Sequence, residues 1–166
     1  SVFSSVPDVN IVASALSDAP GKLTLFADRT GSEMGSLSKR RLDHFGIEMN
    51  EEEEVPVLRF DEYWHAFSSS CPVIDYVKID VEGHELSVLE GFGDFLHQVK
   101  LIQFEFGGAN IDTRTFFQDF WYFFSGYNFS IYRITPRGAI PVPAYTEADE
   151  FFTTTNYIAI NNKYAR

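Results

Sequence analysis

The chain has 166 residues, of which 45% are hydrophobic, so it is long enough to bury a core and too apolar to be disordered over most of its length. Its formal net charge of −11 argues against binding duplex nucleic acid through the phosphates, because 13 basic residues among 24 acidic ones cannot easily form a basic face. The single cysteine, Cys71, excludes an internal disulfide.

No apolar run reaches the roughly 20 residues that a membrane-spanning helix needs, and no secretory signal opens the chain. We therefore expect a soluble protein with no membrane partner. With one free cysteine, a reducing compartment is favoured, and we expect a cytoplasmic location. A neutral or cationic small molecule suits this acidic chain better than a nucleic acid does.

The first third of the sequence predicts three short strands, at residues 9–15, 22–26 and 55–60. Residues 28–54 have little periodicity, and the glutamate run 51–54 is typical of a solvated loop. Pro56 favours an edge position for the third strand, because proline cannot donate a backbone hydrogen bond. Asp61 is then expected to cap a helix that ends near residue 67.

The remainder of the sequence alternates strand and helix. Apolar residues at helical spacing follow the strand at 75–80, and aromatic residues form a wide helical face within residues 113–125. Further strands are predicted at residues 99–106, 127–135, 139–144 and 151–161. This order predicts an α/β fold with a mostly parallel sheet and an antiparallel finish.

Acidic residues follow two of these strands. Asp80 and Glu82 end the strand at 75–80, and Glu105 ends the next. Ligands in open α/β sheets bind beyond the carboxyl ends of the strands, so neighbouring strands would bring Asp80 and Glu105 to one crevice. Such carboxylates can act as a general base, orient a substrate hydroxyl or bind a hard cation such as Mg²⁺. Lys78 lies on the same side of its strand as Asp80 and is placed to pair with one of these acids.

His84 is the imidazole nearest to this acidic cluster and is a candidate general base. Glu82 and Glu85 also have a purely structural explanation, since negative charge is stabilised at the start of a helix. The sequence has no Cys/His spacing of a zinc site, and we assign no metal ligand from it. Gly107 and Gly108 lack the spacing of a nucleotide-binding loop.

The run VKIDVEGHE at residues 77–85, followed by VLEG at 88–91, resembles the signature of the FkbM family of S-adenosylmethionine-dependent methyltransferases. The resemblance extends to ALSD at residues 15–18 and to VLRFDEY at 57–63, and it covers nearly the whole chain. A matched run of this length is far more specific than a lone glycine motif.

This resemblance implies a class I methyltransferase (Rossmann-like) sheet of seven strands whose last strand is antiparallel. It implies O-methylation of a small-molecule acceptor, a sugar or natural-product hydroxyl, with S-adenosylmethionine as cofactor. Ala15 and Leu16 would flank the adenine, and Asp80 and Glu82 would face the methionine end and the acceptor. Asp80, Glu82, His84 and Glu105 are the candidate catalytic residues, and Ala15, Leu16 and Asp80 are the candidate cofactor-binding residues.

The family's glycine-rich loop and ribose-binding acid should precede its third strand, which lies near Ser1 in this chain. We therefore expect residues 1–166 to form a single methyltransferase domain truncated at its N-terminus, with weak donor binding. An unpaired sheet edge would favour a homo-oligomer. The alternative function is a non-catalytic binding or assembly module that keeps the fold. A nicotinamide-dependent enzyme is disfavoured, because no complete dinucleotide fingerprint is present.

Overall fold

A computed structural model describes residues 9–70 and 72–165 of the chain, so Cys71 lies outside the described residues. The described strands form two sheets, one of three strands and one of five. Helices and strands alternate through the middle of the chain, so the α/β class predicted from the sequence is confirmed. No helix within the described ranges is long and apolar enough to cross a bilayer.

The three-stranded sheet contains β1 (Ala15–Leu16), β2 (Gly21–Ala27) and β3 (Glu51–Leu58) in the order β1-β3-β2. The predicted first strand shrinks to two residues, which pair in parallel with Val57 and Leu58. Since β3 is the middle strand, the edge position predicted from Pro56 is wrong for the strand, although Pro56 itself precedes the residues that pair with β1.

The glutamate run is a second correction, because residues 51–54 form the first half of β3 and not a loop. Their backbones pair in antiparallel register with residues 24–27 of β2, from Ala27 opposite Glu51 to Thr24 opposite Glu54. All four glutamates are exposed, and the side chain of Glu54 forms an ion pair of 2.6 Å with Lys22. Strand pairing satisfies the backbone while the charges remain in solvent, so the charge run does not prevent a strand.

The five-stranded sheet has the order β4-β5-β8-β6-β7. Its strands are β4 (Ile74–Ile79), β5 (Val99–Phe106), β6 (Phe129–Thr135), β7 (Gly138–Pro141) and β8 (Thr155–Asn161). Only β4 and β5 are parallel here, and the three other pairs are antiparallel. β4, β5 and β6 nevertheless run in the same direction, and the last strand, β8, is antiparallel to its neighbours as predicted, whereas β7 adds a second antiparallel strand at the edge. A tight turn joins β6 to β7, and β8 inserts between β5 and β6 against the direction of both.

The helices are short. They are α1 (Phe60–His65), α2 (Glu85–Glu90), α3 (Gly108–Thr113) and α4 (Phe117–Gly126). The helix predicted over residues 113–125 begins only at Phe117, and the unpredicted α3 ends where Arg114 adopts a left-handed φ of 60°. Asp61 does not cap α1, because the helix begins one residue earlier and the Asp61 carboxylate pairs with Arg59 at 2.6 Å.

The main core lies between the five-stranded sheet and the helices α2 and α4. The aromatic face of α4 is buried as predicted, with Phe117, Phe120 and Phe124 fully inaccessible to solvent. Phe104 of β5 stacks on Phe120 with 5.1 Å between ring centroids, and on Tyr157 of β8 at 5.5 Å. This aromatic packing fixes β5, and with it the carboxyl end of that strand, against the helix.

Gly91 joins this core to the three-stranded sheet, and we predict that Gly91→Ala strongly destabilises the fold. A Cβ atom at residue 91 would lie 2.2 Å from the Ser17 carbonyl oxygen, which is a backbone atom that cannot rotate away. Overpacking of this kind should lower Tm by roughly 5 °C or more in a calorimetric melt.

Gly126→Ala is the matched control, because nothing lies within 4 Å of the added atom at the end of α4. It should leave Tm unchanged or raise it slightly. An equal loss of Tm in both variants would contradict the close approach of α2 to Ser17.

Candidate functional site

The acidic strand ends predicted from the sequence lie side by side. β4 and β5 are neighbouring parallel strands in which Ile79 pairs with Phe104. Asp80 follows Ile79 and Glu105 follows Phe104, so the two acids are the next residues along these strands. One carboxylate oxygen from each of Asp80, Glu82 and Glu105 lies within 4.8 Å of the others. We call these three residues the carboxylate cluster. The structure therefore brings together three of the four predicted catalytic residues.

A sharp turn between β4 and α2 presents two of these carboxylates. Glu82 has a left-handed φ of 54° and Gly83 a φ of 100°. The left-handed region costs a residue with a side chain roughly 1–2 kcal/mol, so other contacts must hold Glu82 there. Glu85 provides them: its Oε1 accepts hydrogen bonds from the backbone N–H groups of Gly83 at 3.1 Å and Val81 at 3.3 Å.

Two cations neutralise part of the carboxylate cluster. Lys78 Nζ lies 2.6 Å from Asp80 Oδ2, as the strand spacing predicted, and this hydrogen bond raises the pKa of Lys78. Arg40 Nη1 lies 2.5 Å from Glu82 Oε2, and Arg40 Nε is 3.8 Å from Asp112 Oδ2. Asp80 and Glu82 are therefore each held by a partner of opposite charge.

Glu105 differs from the other two acids, because it forms no ion pair with any described residue. Burial raises the pKa of the Glu105 carboxyl, and the negative charges of Asp80, Glu82 and Glu85 raise this pKa further. A carboxylate with a raised pKa is the member of such a group that binds a proton most readily. The arrangement can thus orient a hydroxyl group through Asp80 and accept its proton at Glu105.

The same three oxygens have the chemistry of a hard-cation site, since Mg²⁺ prefers carboxylate ligands. The sequence analysis named this role for the acids but assigned no metal ligand. The geometry of the cluster permits either a cation or a proton-accepting role.

His84 is not among the three clustered residues. Its Nε2 lies 2.9 Å from Ser17 Oγ, and that hydroxyl donates a hydrogen bond to Asp18 Oδ1 at 2.8 Å. Because the hydroxyl proton is used on Asp18, His84 Nε2 is the donor to Ser17. Burial lowers the pKa of His84, so the ring is neutral at pH 7. This contact ties the start of α2 to the strand β1.

A cleft of about 340 Å³ opens between β1 and the end of β4, and we call it the β1–β4 cleft. Ala15, Leu16 and Asp80, the three candidate cofactor-binding residues, all line it. The opposing walls are mainly apolar and include Leu37 and Phe60. This size and lining are typical of a pocket for a flat organic ligand. Asp80 belongs both to this cleft and to the carboxylate cluster.

Sequence reasoning missed two residues that shape the site. Arg40 lies 42 positions before Glu82, in a segment without periodicity, so no spacing rule could pair them. Glu85 was interpreted as a helix-start acid, yet it is only 2% exposed and its Oε2 has no hydrogen-bond partner among the residues that the structure describes. Its sequence signal, an acid at the first turn of a helix, is common and does not reveal burial.

The buried Glu85 makes stability depend on pH. Burial raises the pKa of this carboxyl above its ordinary value of 4.5, so ionisation is less favourable in the folded chain than in the unfolded one. The contribution of Glu85 to the stability of the fold is therefore fully present below pH 4.5, and it is lost as the pH rises through the raised pKa of this carboxyl. Glu85→Gln keeps an Oε1 acceptor, so its Tm at about pH 7.5 should exceed that of the wild type.

In thermal melts this gain should shrink as the pH falls through the raised pKa of Glu85, and it should be absent below pH 4.5. The control is Glu53→Gln, which changes an exposed glutamate of β3 and should give no such gain. A difference between Glu85→Gln and wild type that stays constant across pH would argue against an ionised, buried Glu85.

Comparison with known proteins identifies the family. The family described as "Methyltransferase FkbM domain" matches residues 7–131, about three quarters of the chain. This range includes β1, the β1–β4 cleft and the whole carboxylate cluster. No curated protein and no solved structure matches the chain. The chain belongs to the FkbM methyltransferase family.

Proposed function

We propose that the protein transfers a methyl group from S-adenosylmethionine to a hydroxyl oxygen of a sugar or natural product. The observation that carries this proposal is the shared position of Asp80. It lies at the mouth of an apolar cleft suited to the donor, and it is also a member of a carboxylate cluster suited to the acceptor. A class I methyltransferase fold agrees with the sheet order β4-β5-β8-β6, in which the last strand is antiparallel to both neighbours.

The residues present fit the donor. The apolar side chains of Leu16, Leu37 and Phe60 can hold an adenine ring and exclude water from it. Asp80, at the polar end of the cleft, can accept hydrogen bonds from the ammonium group of the methionine part. When bound, S-adenosylmethionine would supply an electrophilic methyl group on a positively charged sulfur.

Residues of this chain have two functions toward the acceptor, which are to orient its hydroxyl group and to accept its proton. Asp80 holds the acceptor hydroxyl in line with the methyl group, and Lys78 fixes the Asp80 carboxylate at 2.6 Å. Glu105 takes the proton that the hydroxyl loses, for which its raised pKa suits it. His84 is a poorer candidate base than Glu105, because its Nε2 is engaged with Ser17.

Donor binding is tested by filling the β1–β4 cleft. Ala15→Phe places a ring among the apolar walls, so calorimetric titration with S-adenosylmethionine should show at least about tenfold weaker binding than in the wild type. Ala139→Phe adds the same ring to the exposed strand β7 and should bind the donor as the wild type does. Equal affinity in Ala15→Phe and wild type would reject this cleft as the donor site.

The role of Asp80 is tested by Asp80→Asn. The amide keeps the size of the side chain but loses the charge that orients the hydroxyl, so turnover should fall on the order of 100-fold. Donor binding should weaken much less, because the amide oxygen still accepts a hydrogen bond from the ammonium group. Asp75→Asn is the control on the same strand, because Asp75 is 83% exposed and forms a surface ion pair with Lys100.

Normal turnover in Asp80→Asn would overturn the assignment of this residue. A protein that binds neither S-adenosylmethionine nor S-adenosylhomocysteine would instead favour the second function, a binding or assembly module without catalysis.

A further inference from the structure

A second cleft borders the carboxylate cluster. It has a volume of about 520 Å³, and its lining includes Arg40, Arg41 and Arg114. We call it the arginine cleft. Arg40 connects the arginine cleft to the carboxylate cluster. Its side chain lines the cleft, and its Nη1 forms an ion pair with Glu82 of the cluster.

Arginines outnumber acidic residues in the lining of the arginine cleft, three to two. Asp112 forms an ion pair with Arg40, and Asp43 is the other acid of the lining. Across residues 9–70 and 72–165, the side chains of Arg41 and Arg114 form no ion pair and no hydrogen bond. Three of the 13 basic residues of a chain with net charge −11 thus line one cleft. Free guanidinium groups in such a place suit an anionic ligand.

Arg114 occupies a costly backbone position at this cleft. Its φ of 60° lies in the left-handed region, where helices usually end with glycine. Glu82, which forms an ion pair with Arg40, is also left-handed. Arg40 thus shares this cleft with one residue in a strained conformation and pairs with another, and such residues are common at functional sites.

The lining of the arginine cleft also contains exposed apolar side chains. Phe45 is 70% exposed and Ile111 is 49% exposed, and Phe152 completes the wall. Aromatic and aliphatic surface beside two cations suits a small molecule with an apolar face and one negative group. A sugar ring with a phosphate or carboxylate group has both features.

We infer that the arginine cleft binds the anionic group of the methyl acceptor, which is an acidic sugar or a similar hydroxylated small molecule bearing one phosphate or carboxylate. Arg41 and Arg114 hold the anion, Phe45 and Ile111 contact the ring, and a hydroxyl of the same molecule reaches the carboxylate cluster beside Arg40. The role as an acceptor subsite rests on the proposed methyl transfer, whereas the anion site itself does not.

Calorimetric titration of the protein with four probes tests this inference: glucose 6-phosphate, glucuronate, glucose and inorganic phosphate. The two acidic sugars should bind at least about tenfold more tightly than glucose, because a hydrogen-bonded charge contributes strongly to affinity. A comparison of the phosphate and carboxylate arms identifies the preferred anion. Glucose binding as tightly as both acidic sugars, or no binding of any acidic probe, would overturn the inference.

The double variant Arg41→Gln with Arg114→Gln should lose at least about tenfold in affinity for the preferred acidic sugar. The double variant Arg41→Lys with Arg114→Lys keeps both positive charges and should retain most of the binding. It therefore distinguishes the loss of charge from misfolding as the cause of weaker binding. Arg137→Gln is the matched control, since Arg137 is exposed in the turn between β6 and β7. Unchanged affinity in the double glutamine variant, or an equal loss in Arg137→Gln, would reject the arginine cleft.

The outcomes also separate this inference from the proposed function. Acidic-sugar binding that depends on Arg41 and Arg114, without any binding of S-adenosylmethionine, would refute methyl transfer and leave the anion site in place. Donor binding and turnover without arginine-dependent sugar binding would refute only the anion site.

Discussion

The buried carboxylate of Glu85 is the interaction on which the site depends. Its Oε1 accepts the N–H groups of Val81 and Gly83, and this closes the turn that joins β4 to α2. Without these bonds, the N–H donors of Val81 and Gly83 would lack this acceptor, and the left-handed conformation of Glu82 would lose much of its support. The cost of burying Glu85 is thus offset by a turn that points Asp80 and Glu82 toward the end of β5.

The two sheets are aligned by contacts at the two ends of α2. Ser17 accepts the His84 hydrogen bond at 2.9 Å, and its carbonyl oxygen lies so close to Gly91 that no other residue fits there. The backbone N–H of Asp61 bonds the Gly91 carbonyl at 3.0 Å. These contacts hold β1 opposite the end of β4, so the β1–β4 cleft has fixed walls. The histidine predicted as a base therefore has a structural task, which is to hold β1 in place.

Sequence reasoning succeeded where local pattern and topology agree. The run 99–106 is rich in β-branched, aliphatic and aromatic residues, and it forms β5 with the predicted bounds. Adjacent parallel strands then brought Asp80 to Glu105. Prediction failed where the secondary structure of a segment depends on its tertiary contacts. The charged run 51–54 forms a strand because β2 supplies the partners for its backbone hydrogen bonds. Arg40 had no periodic signal, and its pairing with Glu82 depends on a loop path that spacing rules do not describe.

The pairing of charges also decides between the two chemical roles of the carboxylate cluster. Three carboxylates alone would attract a divalent cation, but Lys78 and Arg40 already neutralise Asp80 and Glu82 at 2.6 and 2.5 Å. The charge of Glu105 has no such partner among the described residues, and burial raises the pKa of this carboxyl, with the negative charges of its neighbours raising it further. A single proton satisfies that charge better than a divalent ion, which would have to displace both cations. The charge balance therefore favours proton transfer at Glu105 over metal binding.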